Sequence, residues 1–461
     1  MSSLTLYHFP PSAPSRAAIL TARALNLKVD IKEVNLFAKE QLKPEFLKLN
    51  PQHCVPTLDD NGFVLWESRA IASYLVQAHG GEKYSSLYPQ SAKEKAVVDQ
   101  RLYFDAGVLY PRIRAICFPA LFLGETTVSK DKKDQLNEAF GYLDGFLAKT
   151  KWVAGDNFTI ADNAILASMS SIQAVGFDIA QFPHVASWEA RCKEVVPGYE
   201  ENKAGAQIFG NAVKSKLAPG QLFKQELPEY VCRHARTTKM SSLTLYHFAP
   251  SFPSRAALLT IRALNLKVDI KEVNLFAKEQ FKPEFLKINP QHCVPTLDDN
   301  GFVLWESRAI ATYLVQAYGG EKYSSLYPQA AKEKAVVDQR LYFDAGVLFP
   351  RIRAICFPIL FLGETTISQD KKDQLNEAFG YLDGFLAKTK WVAGDNFTVA
   401  DNAILASVSS IQAVGFDISK FPHVVSWEAR CKEVVPGYEE NKAGAEVFGN
   451  AVKSKLAPGQ L

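Results

Sequence analysis

Residues 50–71 read NPQHCVPTLDDNGFVLWESRAI, and residues 289–310 repeat these letters without a change. The segment holds two short runs of strand-forming residues, Thr57–Asp59 and Phe63–Trp66, on either side of Asp60-Asn61-Gly62. Asn-Gly favours tight hairpin turns, because both residues tolerate a positive φ. The sequence therefore predicts the same β-hairpin at two places in the chain.

Around the first hairpin, the pattern of apolar residues predicts a small α/β domain that ends near Gly81. Alternation predicts strands, and a spacing of three to four residues predicts helices. The predicted elements are a strand over 3–9, a helix over 14–26, a strand over 28–34, a short helix over 44–50 and, after the hairpin, a helix over 67–79.

After Gly81 the signals for strands nearly disappear, and the remaining pattern predicts an all-helical domain. Residues 93–123 predict a long helix that Pro111 bends and that ends near Pro119. Thr159 and Asp162 have the spacing of a helix capping box. Further amphipathic helices are expected to turn these residues toward the core: Leu136, Phe140, Leu143, Leu147, Val185, Trp188 and Cys192.

The repeat extends far beyond the hairpin, because residues 1–222 align without a gap with residues 240–461 and differ at only 20 positions. Each copy is large enough to fold alone. Segment 223–239 has no counterpart and predicts a linker, about 55–60 Å long when fully extended. Met240 fits either a fusion of two adjacent genes or a gene model that joins them. The predicted α/β and helical domains of the two copies cover residues 1–81, 88–222, 240–320 and 327–461.

The composition is that of a globular protein, with 47% hydrophobic and 22% charged residues. A formal net charge of +3 gives no support to nucleic acid or a membrane surface as a partner. Apolar runs stay well below the roughly 18 residues of a spanning helix, and the N-terminus lacks a signal-peptide pattern. The seven cysteines are widely spaced, so we expect free thiols, no metal and a soluble cytoplasmic protein.

Three motifs carry a resemblance to a known family: PPSAPSRA at 10–17, the segment 50–71, and GDNFTIAD at 155–162. Together they resemble the cytosolic glutathione S-transferases, most of all the delta and epsilon classes of arthropods. The resemblance covers all of each copy and implies a thioredoxin-like domain followed by an all-helical domain, duplicated. It also implies a transferase that conjugates its co-substrate glutathione to hydrophobic electrophiles, as in detoxification.

The resemblance assigns activation of the glutathione thiol to Ser12, and to Ser251 in the second copy. A free thiol has a pKa of about 8.5, so a hydroxyl donor at the positive end of a helix favours the reactive thiolate. The alternative is that Ser12 only caps the helix. Ser15 and Tyr7 are rivals for the role, since other classes of the family use a tyrosine on the first strand.

The resemblance also implies residues that hold glutathione. Val55-Pro56 is similar to the family's cis-proline turn, which frees the Val55 backbone to pair with the cysteinyl unit. Glu67 would meet the γ-glutamyl ammonium and Ser68 the γ-glutamyl carboxylate, while His53 would reach the glycyl carboxylate. The whole implied set is Gln41, His53, Val55, Pro56, Glu67, Ser68 and Arg69 in the first copy and Gln280, His292, Val294, Pro295, Glu306, Ser307 and Arg308 in the second.

Ordinary structural roles compete with two of these assignments. Glu67 would suit the first turn of a helix as a simple carboxylate, and a loop residue such as His53 is commonly solvated. Gln41 departs from the family pattern, since many members carry a second histidine there, and we expect a weaker hold on the glycyl end. Cys54 is expected to be a passive thiol.

By the resemblance, the electrophile binds between the two domains of a copy, along the bent helix. The expected lining is Tyr110, Arg114, Phe118 and Phe122, with Phe349, Arg353, Phe357 and Phe361 in the second copy. A spacing of four residues describes a stripe that faces the core equally well.

The differences between the copies avoid the implied glutathione residues. Five are expected to flank the acceptor side: Pro10/Ala249, Ala13/Phe252, Leu42/Phe281, Tyr110/Phe349 and Ala120/Ile359. Because three of the five enlarge the side chain, we predict a tighter and more apolar second pocket. Neutral drift on a surface rim is the alternative.

A non-catalytic carrier or structural protein on the same fold is the competing function. The expected partners are glutathione and small hydrophobic electrophiles, with no permanently bound cofactor. Family members are usually two-fold dimers, so we expect either pairing of the two copies within one chain or a homodimer of chains.

Overall fold

The computed structural model describes residues 4–218 and 243–460, and the predicted linker over 223–239 lies outside these residues. The chain divides into two compact units, Met1–Arg233 and His234–Leu461. In the described part, each unit has one four-stranded sheet followed by a helical domain. The predicted fold class is confirmed for both copies.

The sheet of the first unit mixes parallel and antiparallel strands. Its strands are β1 (Leu4–His8), β2 (Asp30–Glu33), β3 (Thr57–Asp60) and β4 (Phe63–Trp66). Their spatial order is β2-β1-β3-β4, with β1 parallel to β2 and antiparallel to β3. The parallel pair needs a crossover, which helix α1 (Ala13–Ala24) supplies.

The hairpin between β3 and β4 closes at Asn61 and Gly62, whose φ angles are 52° and 87°. Two successive positive φ angles are the geometry that suits a two-residue hairpin loop. Asp59 Oδ1 also accepts a hydrogen bond from the Gly62 backbone nitrogen at 2.7 Å. The predicted turn is confirmed.

Eight further helices complete the first unit: α2 (Pro44–Leu49), α3 (Ser68–Leu75), α4 (Ala92–Phe104), α5 (Tyr110–Phe122), α6 (Lys130–Leu147), α7 (Ile160–Val175), α8 (Pro183–Val195) and α9 (Tyr199–Lys214). Helices α1 and α3 pack together, and α7 packs on α1 and α9, so α1 connects the two domains. No helix in the described part of the chain is long and apolar enough to cross a membrane.

Asp162, in the first turn of α7, organises the helical domain. Its Oδ2 accepts a hydrogen bond from the Thr159 backbone nitrogen at 2.8 Å, which confirms the predicted capping box. Its Oδ1 accepts another from Trp188 Nε1 at 2.9 Å and so ties α7 to α8. The side chains predicted to face the core are buried: Leu136, Phe140, Leu143, Leu147, Val185, Trp188 and Cys192.

The predicted long helix differs from the structure at both prolines. Residues Asp105–Leu109 form a π-helical segment between α4 and α5, so the irregularity precedes Pro111. A wider helical turn is one way to adapt the backbone to the hydrogen bond that proline, having no N–H, does not form. The predicted end near Pro119 is wrong, because α5 continues to Phe122. Ala115, whose carbonyl loses the Pro119 N–H as a donor, is exposed, so water can replace it.

The helix predicted over 67–79 is also shorter than expected. Helix α3 ends at Leu75, and Val76–Gly80 forms a π turn, in which His79 Nε2 lies 2.9 Å from Asp60 Oδ2. In the second unit Tyr318 takes the place of His79, and the equivalent helix runs without interruption to Tyr318. The local difference therefore falls on a residue that differs between the copies.

The second unit repeats this architecture. Its strands are β5 (Leu243–His247), β6 (Asp269–Glu272), β7 (Thr296–Asp299) and β8 (Phe302–Trp305). Its helices are α10 (Phe252–Ala263), α11 (Pro283–Ile288), α12 (Ser307–Tyr318), α13 (Ala331–Phe343), α14 (Phe349–Phe361), α15 (Gln369–Leu386), α16 (Val399–Val414), α17 (Pro422–Val434) and α18 (Tyr438–Lys453).

Candidate active site

Ser12 is the N-cap of α1, with extended backbone at φ −75° and ψ 116°. Its Oγ accepts a hydrogen bond from the Ser15 backbone nitrogen at 3.4 Å, which is near the upper limit for such a bond. A hydroxyl that accepts a capping bond still has its own proton to donate. The half-buried hydroxyl thus combines a free donor with the positive end of a helix. Ser251 has the same geometry, with the same 3.4 Å distance to Ser254.

The two rivals of Ser12 have different surroundings. Ser15 is fully buried, and its Oγ accepts a hydrogen bond from the Phe9 backbone nitrogen. The rings of Tyr7 and Phe46 are in edge-to-face contact, with centroids 5.8 Å apart. Ser12 thus has the half-buried hydroxyl at the start of α1, whereas the buried Ser15 joins the strand to the helix.

The loop before β3 places His53, Val55 and Pro56 in succession. His53 has a φ of 43° and is half-buried. The Val55-Pro56 peptide is cis, as is Val294-Pro295 in the second unit, so the predicted cis-proline turn is present in both copies.

Glu67 occupies the N-cap position of α3 at φ 72°, an uncommon backbone angle for this residue type. Its carboxylate forms no hydrogen bond that caps the helix, and its place at the start of α3 also fits the alternative of a simple carboxylate near the positive end of a helix. Burial raises the pKa of the Glu67 carboxyl, and nearby Arg69 only partly offsets that rise. In the second unit burial raises the pKa of Glu306 to about 7. A carboxylate in this position gains from a cationic ligand.

Ser68 and Arg69 follow Glu67 but have different surroundings. Ser68 is buried in the first turn of α3, where backbone N–H groups lack partners within the helix. Arg69 turns into the interior and forms an ion pair with Asp105, with 3.0 Å between Arg69 Nε and Asp105 Oδ2. Its guanidinium therefore joins the sheet domain to the π-helical segment of the helical domain.

Gln41 lies in the turn before α2, where the family resemblance leads one to expect histidine. Its Oε1 is buried and has no hydrogen-bond partner among the described residues, and the same holds for Gln280. Each amide thus keeps unused hydrogen-bonding capacity at this edge of the sheet domain.

The expected acceptor residues form one face of α5, and this face is not the core stripe. The buried side chains of α5 are Ile113, Ile116, Cys117 and Ala120. Tyr110 and Phe118 are half-buried, while Arg114 and Phe122 are exposed. Arg114 lies over the Phe118 ring, 4.5 Å from its centroid. Tyr110 lies near Arg69 of the sheet domain, whose guanidinium is 6.0 Å from the Tyr110 ring centroid.

Two residue contacts were not anticipated from the sequence. Asp105 gave no signal, because its partner Arg69 is 36 positions away. In the second unit, Phe448 of α18 contacts Phe252, with ring centroids 5.6 Å apart. Its equivalent in the first unit is Phe209, and neither phenylalanine lies in a motif.

Three of the five differences expected beside the acceptor lie elsewhere. Ala120 and Ile359 are buried on the core face of their helices. Leu42 and Phe281 are exposed, and the Phe281 ring lies 4.7 Å from that of His292. Pro10 lines a cavity of about 220 Å³ between α1 and α9. The remaining two differences are Ala13/Phe252 and Tyr110/Phe349, and in the second unit Phe252 and Phe349 are in contact.

The described cysteines have weakly acidic thiols. Burial raises the pKa of Cys54, beside His53, to about 12, and that of Cys293 likewise. Burial also raises the pKa values of Cys117, Cys192, Cys356 and Cys431. The expected passive role of Cys54 agrees with this environment, because the thiol and not the reactive thiolate predominates at neutral pH.

Comparison with known proteins gives matches in both copies. The glutathione S-transferase N-terminal domain model matches residues 2–77 and 241–316, and the C-terminal domain model matches residues 113–194 and 355–433. Glutathione S-transferase D7 of Anopheles gambiae is 44% identical over 215 residues, which are 46% of this chain and 97% of that protein.

Two further relatives show the same coverage of a single copy. Glutathione S-transferase D7 of Drosophila melanogaster is 46% identical over 202 residues, which are 44% of this chain and 89% of that protein. The solved structure of a delta-class glutathione transferase of Nilaparvata lugens is 46% identical and covers 46% of this chain and 99% of its own, with a TM-score of 0.45. Because both domains occur twice, and half of the chain spans nearly a whole relative, the chain belongs to the glutathione S-transferase family as a tandem duplication of the delta and epsilon type.

Proposed function

We propose that both units conjugate glutathione to hydrophobic electrophiles, as in detoxification. The observation that carries this proposal is the half-buried hydroxyl at the N-terminus of α1 in one unit and of α10 in the other. The thiol of bound glutathione loses its proton to solvent, and Ser12 or Ser251 donates a hydrogen bond to the thiolate. The sulfur then bonds to the electrophilic carbon, and on an aryl halide the halide leaves with the bonding pair.

The surroundings of Glu67 support the proposed binding mode. Its carboxylate is partly desolvated and nearby Arg69 only partly offsets this, so the ammonium of the γ-glutamyl unit would supply a further compensating cation. Ser68, at the N-terminus of α3, would hold the neighbouring carboxylate. Gln41 and His53 would hold the glycyl end, and the Val55 backbone would pair with the cysteinyl unit.

The proposed function is tested with the whole chain. We expect the protein to be retained on immobilised glutathione, to be eluted by free glutathione and to turn over an aryl halide. Retention without turnover would instead support the non-catalytic carrier. A chain with Ser12→Ala and Ser251→Ala is the matched control, because it should still be retained while its turnover falls.

A further inference from the structure

The residue after the candidate serine has the largest gain in side-chain size among the 20 differences between the copies. Ala13 follows Ser12, and Phe252 follows Ser251. Each is the first residue of the helix that the serine caps. A benzyl group therefore replaces a methyl group one residue from the candidate serine.

Phe252 packs against the helical domain of its own unit. Its ring centroid lies 4.9 Å from that of Phe349, at the start of α14, and 5.6 Å from that of Phe448 in α18. Phe252 is only 3% exposed and Phe448 only 4%. These three rings, the Phe252 cluster, fill the space between the first turn of α10 and the two helices.

The first unit differs at two of these three positions. Ala13 ends at its Cβ, and Tyr110 stands where the second unit has phenylalanine. Phe209, the unchanged equivalent of Phe448, is half-buried instead of buried. Two of the 20 differences thus meet in one contact, and the greater burial of Phe448 follows from the added ring beside it.

We propose that the Phe252 cluster makes the second unit selective for compact electrophiles, such as short α,β-unsaturated aldehydes, while the first unit also accepts bulky aromatic electrophiles. This proposal rests on the proposed function, since the acceptor must reach a thiolate held at Ser251. The cluster occupies the space between that serine's helix and the helical domain. In the aldehyde reaction, sulfur bonds to the β-carbon, the alkene π pair shifts to the α-carbon, and this carbon takes a proton from water.

The test uses the full chain with one active unit at a time. Ser251→Ala leaves the first unit active, and Ser12→Ala leaves the second. For each chain, kcat/KM is measured with dinitrochlorobenzene and with a four-carbon 2-enal. The value for dinitrochlorobenzene divided by the value for the enal should be at least about tenfold lower in the second unit. A difference of one methylene group in an apolar pocket already changes selectivity by about 10- to 200-fold.

Two exchanges transfer the preference between units. Phe252→Ala in the Ser12→Ala chain should raise the ratio toward that of the first unit. Ala13→Phe in the Ser251→Ala chain should lower it, and this exchange creates no cavity, so the test does not depend on the folding of Phe252→Ala. Ile359→Ala is the matched control, because it restores the first-copy residue at a buried position on the core face of α14.

The outcomes separate this proposal from the proposed function. Equal ratios in the two single-site chains, or exchanges without effect on the ratio, overturn the selectivity and leave conjugation itself standing. Absence of turnover of both electrophiles by the unmodified chain overturns the proposed function and the selectivity together.

Discussion

Arg69 and Asp105 form a buried ion pair that joins the two domains of the first unit, with 3.0 Å between Arg69 Nε and Asp105 Oδ2. Arg308 and Asp344 repeat it in the second unit, at 2.9 Å. Burial raises the pKa of Asp105, and the neighbouring guanidinium partly offsets that rise. Each buried charge is therefore stabilised by its partner in place of water.

Asp105→Ala should destabilise the first unit by about 3–5 kcal/mol, because it leaves a buried guanidinium without its counter-charge. Urea unfolding of the full chain measures the loss. The exposed pair of Lys130 and Asp134 provides the control, since Asp134→Ala should cost about 1 kcal/mol or less. Equal losses of unfolding free energy in the two variants would show that the interdomain ion pair contributes no more to stability than an exposed one.

In the double variant Ser12→Ala, Ser251→Ala, the pKa of the thiol of bound glutathione should rise, and conjugation should be slower by roughly one to three orders of magnitude. The affinity for glutathione should change little, because the proposed carboxylate contacts remain. Ultraviolet absorbance of the thiolate against pH measures the shift. Ser15→Ala is the discriminating control, since its buried hydroxyl faces Phe9; a rise in thiol pKa in that variant alone would reverse the assignment.

Glutathione affinity of the second unit should fall as the pH drops below about 7. Burial raises the pKa of Glu306 to about 7 in the free protein, so below that pH its carboxyl is mostly neutral and attracts the ligand's ammonium less. Calorimetric titration from pH 5.5 to 8.5 should show weaker binding at the acidic end, by up to about tenfold per pH unit.

Glu306→Gln should weaken binding at pH 8 and remove this pH dependence from the second unit. Rising pH has the opposite effect on the stability of the fold. The pKa of Glu306 is higher in the folded than in the unfolded state, so its ionisation destabilises the fold as the pH rises from 4.5 toward 7. The variant should therefore be more stable than the parent above pH 7. A parent unit and a variant with identical pH profiles would contradict the proposed ammonium contact.

The chain should behave as a single 51.1 kDa species in light scattering, if the two copies pair with each other. Tethering raises the local concentration of one copy around the other to about millimolar, which favours internal pairing over pairing between chains. Insertion of a protease site within 223–239 gives a second readout, since the two halves should stay together after cleavage. A stable mass of two chains would instead support the homodimer.

Local signals account for what the sequence predicted well. Asn61-Gly62 determines its own turn through two positive φ angles, Thr159 and Asp162 cap their own helix, and Ser12 caps α1. In each case the interacting groups are at most three residues apart, so no knowledge of the tertiary structure is needed.

What the sequence did not predict depends on long-range packing. The ion pair of Arg69 spans two domains, and the Phe252 cluster brings together three separate segments. The rule that proline ends a helix failed at Pro119 because the affected carbonyl belongs to an exposed residue. Assigning Ala120 and Ile359 to the acceptor side failed because spacing along a helix does not show which face is buried.

The weakly acidic thiols have a consequence under the proposed function, in which the protein meets alkylating compounds. A catalyst that presented thiolates of its own would be covalently modified by the molecules it processes. Burial raises the pKa of all six described cysteines, including Cys54 beside the candidate site, and so lowers the fraction of reactive thiolate. The reactive sulfur would then arrive with each molecule of glutathione and depart in the product, so an alkylating agent would consume the tripeptide in preference to the six described thiols.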